Sequence, residues 1–234
     1  MVDRRLVGIH RANHTQTRIA SFDIFDTVIT RRVGEPRAVF LLLGRRLCER
    51  NQITCSAHVF AAARTGAEIR TFANAGGLDS SVTLRDIYAE LANALHWSLA
   101  QTERIYDAEL ELEAELLVPL ENGCAMVSQA RASGRQVAFV SDMYLPSDYL
   151  ETILADLAIF EDGDVLIVSN EERASKASGR LWPSVVERLG VRAEAIHHIG
   201  NHPVSDGRTA RKACLLYTSP SPRDQRGSRM PSSA

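Results

Sequence analysis

The sequence predicts an α/β fold: a parallel sheet with helices on both faces and a long helical insertion after the first strand. Three observations point there. Four short apolar, β-branched runs each end in small or polar residues, as strands buried on both faces do. Helical apolar patterns separate the later runs, and the segment 31–135 between the first two carries helical periodicity with no strand-like run.

The first strand is read at Arg18 to Phe25 (RIASFDIF), an apolar run that meets an acidic residue at its carboxyl end. In segment 31–135, helices are expected over Pro36 to Arg50, Ala57 to Ala73, Leu84 to Leu95 and Leu99 to Val118, with Thr83 and Ser98 as N-caps. Ala75-Gly76-Gly77 and Glu121-Asn122-Gly123 read as turns, and Glu109, Glu111, Glu113 and Glu115 as a solvated helix flank. This insertion is too long for a simple crossover and is expected to cover the end of the first strand. Further strands are read at Gln136 to Asp142, Asp164 to Asn170 and Ala195 to Asn201, with helices over Ser147 to Leu157 and Leu181 to Leu189. In such sheets ligands bind beyond the carboxyl ends of the strands.

Composition narrows the function classes. The 234 residues are 45% hydrophobic and 24% charged, the balance of a globular chain with one main core. With 27 basic and 29 acidic side chains there is no basic excess to hold nucleic acid or an anionic membrane surface, and neither is expected as a partner. No apolar run nears the ~18 to 20 residues that cross a bilayer. The basic N-terminal stretch lacks an apolar centre and a cleavage site, so a cytoplasmic location is expected. Cys48, Cys55, Cys124 and Cys214 show no CxxC spacing and read as buried small hydrophobes.

The chemistry-bearing residues stand at the strand ends. Asp23-Ile-Phe-Asp-Thr27 follows the first strand, Ser141 ends the second, Lys176 follows the third, and Gly200-Asn-His-Pro-Val-Ser-Asp206 follows the fourth. A carboxylate at a strand tip can attack a phosphoryl centre to give an acyl phosphate. A hydroxyl such as that of Ser141 can donate to a phosphoryl oxygen, and a lysine such as Lys176 can neutralise charge that builds there. A divalent cation such as Mg²⁺ takes oxygen ligands. Adjacent strand histidines point to opposite faces, so His197 and His198 do not read as a joint metal site with His202.

These four ordered motifs resemble the haloacid dehalogenase superfamily, whose core is Rossmann-like, over about Arg18 to Ala213. FDIFDTVITR, SDMYLP, VSNEERASKASGRLW and HHIGNHPVSD further resemble a bacterial branch often joined to glycosyltransferases. The resemblance implies a core of residues 1–30 and 136–213 and a helical cap over 31–135. It implies Asp23 as nucleophile, with Ser141 and Lys176 as catalytic residues, and Thr27, Ser141, Asp142 and Lys176 at the substrate phosphate. It places Mg²⁺ at Asp23, Phe25, Asn201 and Asp206.

Two positions depart from the family pattern. Phe25 stands two residues after the nucleophile, where family phosphatases carry a second Asp that serves as general acid and base. Asp26 does not replace it, because neighbouring side chains point in different directions. Asn201 stands where the first Asp of the metal motif is usual, which keeps an oxygen ligand but removes a charge. The leading expectation is a Mg²⁺-dependent phosphohydrolase acting on a small phosphorylated metabolite through an aspartyl-phosphate at Asp23. The glycosyltransferase association points to a sugar phosphate. The alternatives are a noncatalytic domain that binds a phosphorylated ligand and a metal-independent dehalogenase-type hydrolase.

The C-terminal stretch reads differently. Composition shifts at Cys214, and CLLYTSPSPRD (Cys214 to Asp224) and SRMPSSA (Ser228 to Ala234) match the translation of a common transposon-type sequencing adapter. Residues 214–234 are therefore set apart from the fold reasoning, and the natural sequence is expected to end near Ala213, before the fifth core strand that the resemblance implies. Leu215, Leu216 and Tyr217 have the strand propensity to fill that edge. The prolines beyond are expected to trail unpacked, and losing the whole tail to cost little stability.

Overall fold

The structure, a computed structural model, describes residues 17–77, 79 and 81–220. In chain order the first elements are β1 (Ile19–Phe22), β2 (Ile29–Arg31), α1 (Ala38–Glu49), α2 (Ala57–Asn74), α3 (Leu84–Leu95), α4 (Leu99–Leu116), β3 (Leu117–Pro119) and α5 (Glu121–Ala132). There follow β4 (Gln136–Ser141), α6 (Ser147–Asp156), β5 (Val165–Val168), α7 (Ser169–Glu172), α8 (Leu181–Leu189), β6 (Ile196–Ile199), α9 (Thr209–Lys212) and β7 (Leu216–Thr218).

Five strands form one parallel sheet in the order β5-β4-β1-β6-β7. From the central β1 the chain builds outward on one side through β4 and β5, then returns to the other side for β6 and β7. The strand order thus reverses at β1, which opens a crevice at its carboxyl end. Alternation sends successive residues to opposite faces. Val137 and Phe139 join Phe22 and the helices α5 and α6 in one apolar cluster, while Ala138 and Val140 join Leu181, Trp182 and Val185 of α8 in the other.

The first cluster does not stop at the sheet. It runs through Ile24 and Val28 into Phe40, Leu43, Phe60, Leu84, Ile87 and Leu91 of the helical segment, so α1 to α4 share a core with one sheet face. Their ends follow local chemistry. Ser56, Thr83 and Ser98 cap α2, α3 and α4, and Thr83 closes a reciprocal capping box with Asp86. Gly76 and Gly77 turn the chain after α2 with φ of 89° and 96°.

Several expectations change. The insertion is not strand-free, because β3 pairs antiparallel with β2 through Leu117–Arg31, Val118–Thr30 and Pro119–Ile29. Strands of three residues are too short to leave a period in the sequence. The Glu121-Asn122-Gly123 turn is instead the start of α5, which packs on β1 and β4 and so belongs to the sheet layers. Gly123 is where α5 presses on the loop after β1, since a Cβ there would lie 2.0 Å from the Thr27 carbonyl oxygen. Residues Ser169 and Asn170, read as strand, open α7.

The glutamate row is not a solvated flank. Glu111 and Glu115 are exposed, but Glu109 and Glu113 are buried and meet distant arginines. Glu109 holds Arg64 by two bonds of 2.7 and 2.9 Å, and Glu113 accepts from Arg31 Nε at 2.7 Å. The cysteines also differ. Cys48, Cys55 and Cys124 are half-buried and Cys214 is exposed, all as free thiols.

The expected edge strand is present as β7, parallel to β6. Its neighbours are packed as well. Leu215 is buried, Tyr217 donates to the Gly200 carbonyl at 3.1 Å, and the Thr218 hydroxyl bonds His197 at 2.8 Å. Of the stretch read as trailing unpacked, Pro220 is instead buried, and residues 221–234 lie outside the described residues. The expectation that the tail contributes little to stability is therefore revised for residues 214–218. A chain ending at Ala213 is expected to lose about 2 to 3 kcal/mol from Leu215 burial alone and, at about 2 to 4 °C per kcal/mol, to melt several degrees lower. Scanning calorimetry of the two chains checks this, and equal midpoints would show that the edge strand contributes nothing.

Candidate active site

At the carboxyl edge of the sheet, Asp23 follows β1 with its main-chain N–H bonded to the Ile199 carbonyl of β6 at 2.8 Å, so the neighbouring strand sets its position. Beyond it Asp26 takes a left-handed φ of 56°. The Val28 and Ile29 N–H groups fold back on the Ile24 carbonyl, closing the turn that leads into β2. The Thr27 hydroxyl reaches back to Asp23 Oδ2 at 3.0 Å and fixes the carboxylate's rotation.

Lys176 lies between two acids. Its Nζ is 2.5 Å from Asp23 Oδ1 and 2.7 Å from Asp206 Oδ1, and all three side chains are buried. Asp206 is brought there by a tight turn at Gly200, where a Cβ would lie 2.4 Å from the Asp206 Cγ. The His202 main-chain N–H holds the other oxygen at 2.9 Å. Beneath it the buried His198 ring links Ser21 Oγ, 2.8 Å from Nδ1, to Asp206 Oδ1, 3.3 Å from Nε2. Because the carboxylate only accepts, the ring carries its proton on Nε2 and accepts from Ser21 at Nδ1. Trp182 meets the ring edge-on at 4.7 Å.

Charge in this cluster follows from burial and neighbours. Burial lifts the Asp23 carboxyl from 3.8 to about 6; Lys176 opposes the rise and the like charge of Asp206 adds to it. Asp206 is held below the usual carboxylate range, since the His198 bond and Lys176 outweigh its burial. Burial alone would lower Lys176, but Asp23, Asp206 and Asp142 outweigh it and hold the ammonium charged. Burial pushes His198 down to about 4, against the Asp206 bond, and leaves it neutral.

The cleft above has a volume of 350 Å³. Asp23, Phe25, Ser141, Asp142, Lys176, Asn201 and Asp206 all line it, so seven of the eight anticipated positions converge. Thr27 does not line it. Its hydroxyl is spent on the Asp23 carboxylate, which makes it a positioning residue rather than a phosphate contact. Asp142 also has a different task, because its two oxygens accept the main-chain N–H groups of Lys176 at 2.7 Å and Ala177 at 3.2 Å. It clamps the turn that carries the lysine, and a carboxylate there would repel a phosphate. Asp26 stays at the rim with the Thr30 hydroxyl on its Oδ1 at 2.7 Å.

The helical segment supplies the other wall with Arg31, Arg37, Phe40, Glu68 and Glu113. The Arg31 guanidinium lies over the Phe25 ring at 4.6 Å and is anchored by Glu113. The sequence reading missed these residues and the role of His198. Arg31, four residues after Thr27, and the His pair before Gly200 are the only local signals that pointed to any of them.

No protein-family model matches the chain, and no curated protein sequence matches it. Solved structures do. The HAD-hydrolase YfnB from Bacillus subtilis, bound to magnesium, is 19% identical with a TM-score of 0.59, covering 86% of this chain and 87% of that one. The HAD fold is thereby established. The HAD family enzyme bt-2542 from Bacteroides thetaiotaomicron, in complex with magnesium and inorganic phosphate, is 12% identical with a TM-score of 0.56, over 87% and 94% of the two chains. The 2-haloacid dehalogenase from Pseudomonas syringae pv. Tomato DC3000 is 16% identical with a TM-score of 0.58, over 86% and 85%. At these identities the HAD likeness speaks for the fold and leaves the reaction to be argued from the cleft.

A raised carboxyl pKa favours the protonated form in the folded state. This group's contribution to stability is complete below its unfolded value of 3.8 and is lost as the pH rises through about 6. In chelator, Asp23→Asn, which stays neutral, is expected to melt above the parent at about pH 7.5 and to lose that advantage at about pH 4.5. An advantage independent of pH would show that Asp23 does not titrate in this range.

Proposed function

We propose that the protein is a HAD-type hydrolase that cleaves a small phosphate ester through an aspartyl-phosphate at Asp23. The observation that carries this reading is the charge balance at the strand ends, where Asp23, Asp142 and Asp206 surround the single ammonium of Lys176. Two surplus negative charges suit a divalent cation as partner to a phosphate substrate. Oxygen atoms of Asp23, Asn201 and Asp206 with the main chain at Phe25 would hold it, a donor set that suits a hard ion such as Mg²⁺. Among the described residues no group of three or more His, Cys, Asp or Glu side chains forms a metal site unaided, so the Asn201 amide and main-chain oxygens would have to complete the set. When bound, the ion would withdraw charge from the phosphoryl oxygens.

The chain's own groups then divide the work. Thr27 holds the Asp23 carboxylate for in-line attack on phosphorus, forming an acyl phosphate as the bond to the leaving oxygen breaks. Lys176 and the Ser141 hydroxyl stabilise charge on the transferring group. Water then attacks the phosphorus of the intermediate, which releases phosphate and restores Asp23. Phe25 gives no proton to the leaving oxygen, a deficit of about 10²- to 10⁴-fold. The reading therefore favours substrates with good leaving groups, and a sugar phosphate bonded through its anomeric oxygen is one. Association with glycosyltransferases in the cytoplasm belongs to the same proposal.

A second reading has its own observation. The Phe25 ring under Arg31 replaces the phosphatase acid with an apolar, cation-capped wall, and solved HAD folds similar to this chain include 2-haloacid dehalogenases. Displacement of halide from carbon by Asp23 would need no cation. A panel of phosphorylated metabolites and 2-haloacids, each assayed with Mg²⁺ and with chelator, separates the readings. The expected result is phosphate release that is lost in chelator and falls by at least about 10³-fold in Asp23→Asn. Halide release that survives chelator would replace it with the second reading. Phosphate binding without any turnover would leave a noncatalytic binding domain.

Asn201→Asp is expected to tighten Mg²⁺ binding measured by calorimetry, because it restores a formal charge to a hard-cation site. Unchanged affinity would remove residue 201 from the ligand set.

A further inference from the structure

The turn that carries Lys176 is held from two sides, and only one of them belongs to the sheet. From below, Asp142 takes the N–H groups of Lys176 and Ala177. From above comes Asp79, in the connection between α2 and α3. Its Oδ1 accepts the Ser175 N–H at 2.7 Å, the Ser175 hydroxyl at 2.9 Å and the Ser178 hydroxyl at 2.6 Å. Its Oδ2 lies 3.6 Å from Arg180 Nε. The Ser178 N–H in turn bonds the Ser175 hydroxyl at 3.1 Å. Four successive N–H groups are thus committed, three of them to carboxylates, and charge-assisted bonds of this kind are about twice as strong as neutral ones.

Neither Asp79 nor its two serine partners lines the cleft, so contact with substrate does not account for the arrangement. Nor does the helical layer need it for cohesion, since α1 to α4 share a continuous apolar core with the sheet. What Asp79 touches is the Ser175 N–H and the hydroxyls of Ser175 and Ser178, on either side of Lys176 in the chain. The serines at 175 and 178, which flank Lys176 in the SKAS stretch, also bond within the turn, where the Ser178 hydroxyl accepts the Arg180 N–H at 3.2 Å, and Asp79 ties that turn to the helical layer.

We propose that Asp79 is a positioning residue, through which the helical layer holds the Ser175–Ser178 turn in register and so keeps the Lys176 ammonium between Asp23 and Asp206. As a statement about catalysis this rests on Lys176 acting in the reaction proposed above. As a statement about where Lys176 sits, it stands independently.

The chain has two lysines, which makes the test direct. Lys176 is buried, while Lys212 is exposed and serves as an internal standard. Acetylation with a small activated ester, followed by mass spectrometry, reads the reactivity of each in the full chain. In Asp79→Ala, Lys176 is expected to label at least about tenfold faster relative to Lys212, the scale of one lost charge-assisted hydrogen bond. Asp79→Glu should return most of the protection, and thermal melting should remain cooperative. With p-nitrophenyl phosphate as probe, kcat should fall while KM changes little. Should Asp79→Ala fail to fold, Asp79→Asn and Ser178→Ala are read in the same way. Unchanged Lys176 labelling in a folded variant overturns the proposal, and faster labelling with unchanged kcat overturns its statement about catalysis. A parent protein that is silent towards the probe counts against the hydrolase reading alone, because labelling still decides where Asp79 holds the lysine.

Discussion

An ammonium group taken out of water is tolerable only where negative charge meets it at close range, and that constraint organises the carboxyl edge of this sheet. Lys176 is buried, and Asp23 and Asp206 reach it from β1 and from the turn after β6. Each acid needs its own support. Asp23 is locked by Thr27, and Asp206 by the His202 main chain and His198. Gly200 lacks a side chain because the Asp206 carboxylate needs the space. Such clusters seldom add net stability, since desolvation of the charges offsets most of the attraction. Their effect is to hold one arrangement of charges, which a reacting site requires.

The helical layer repeats this physics at a distance. Arg64 is fully buried between Glu109 and the faces of Phe40 and Tyr144, two residues that also line the cleft. Arg31 is anchored by Glu113 and lies over Phe25. One glutamate pair on α4, four residues apart, thereby fixes both arginines behind the cleft wall. Removing one partner of a buried pair costs about 3 to 5 kcal/mol because the other charge is left unpaired. The wall facing Asp23 is therefore built on ion pairs in an apolar core, which resists both collapse and drift.

In the hydrolase reading proposed above, the two departures from the phosphatase pattern would act on different steps. Phe25 would withhold a proton from the leaving group and so narrow the range of leaving groups. Asn201 would lower the charge available to a cation and make activity more sensitive to the concentration of the ion. Neither residue belongs to the Asp23–Lys176–Asp206 cluster, so both departures leave that geometry in place.

Much of this was legible in the chain. The run Ile19–Phe22 followed by Asp23, the cap at Thr83 and the helix Leu84–Leu95 are local matters of periodicity, propensity and hydrogen-bonding side chains. The same holds for the residues that end each strand, and a parallel sheet gathers its carboxyl ends on one edge, so Asp23, Ser141, Lys176 and Asp206 had to meet. What the tertiary structure decided was the partner of each polar group. Glu109 and Glu113 read as solvated until Arg64 and Arg31, 45 and 82 residues away in sequence, came to meet them. Thr27 has a hydroxyl fit for a phosphate, but the Asp23 carboxylate claims it first, and the Asp142 oxygens are claimed by two main-chain N–H groups. Tyr217 and Leu215 become structural only because β6 presents an open edge. Sequence by itself fixes periodicity and position along an element, because these depend on the residue and its near neighbours. Whether a charge is buried, and what it is spent on, depends on which distant group arrives at hydrogen-bond distance, and only the folded chain settles that.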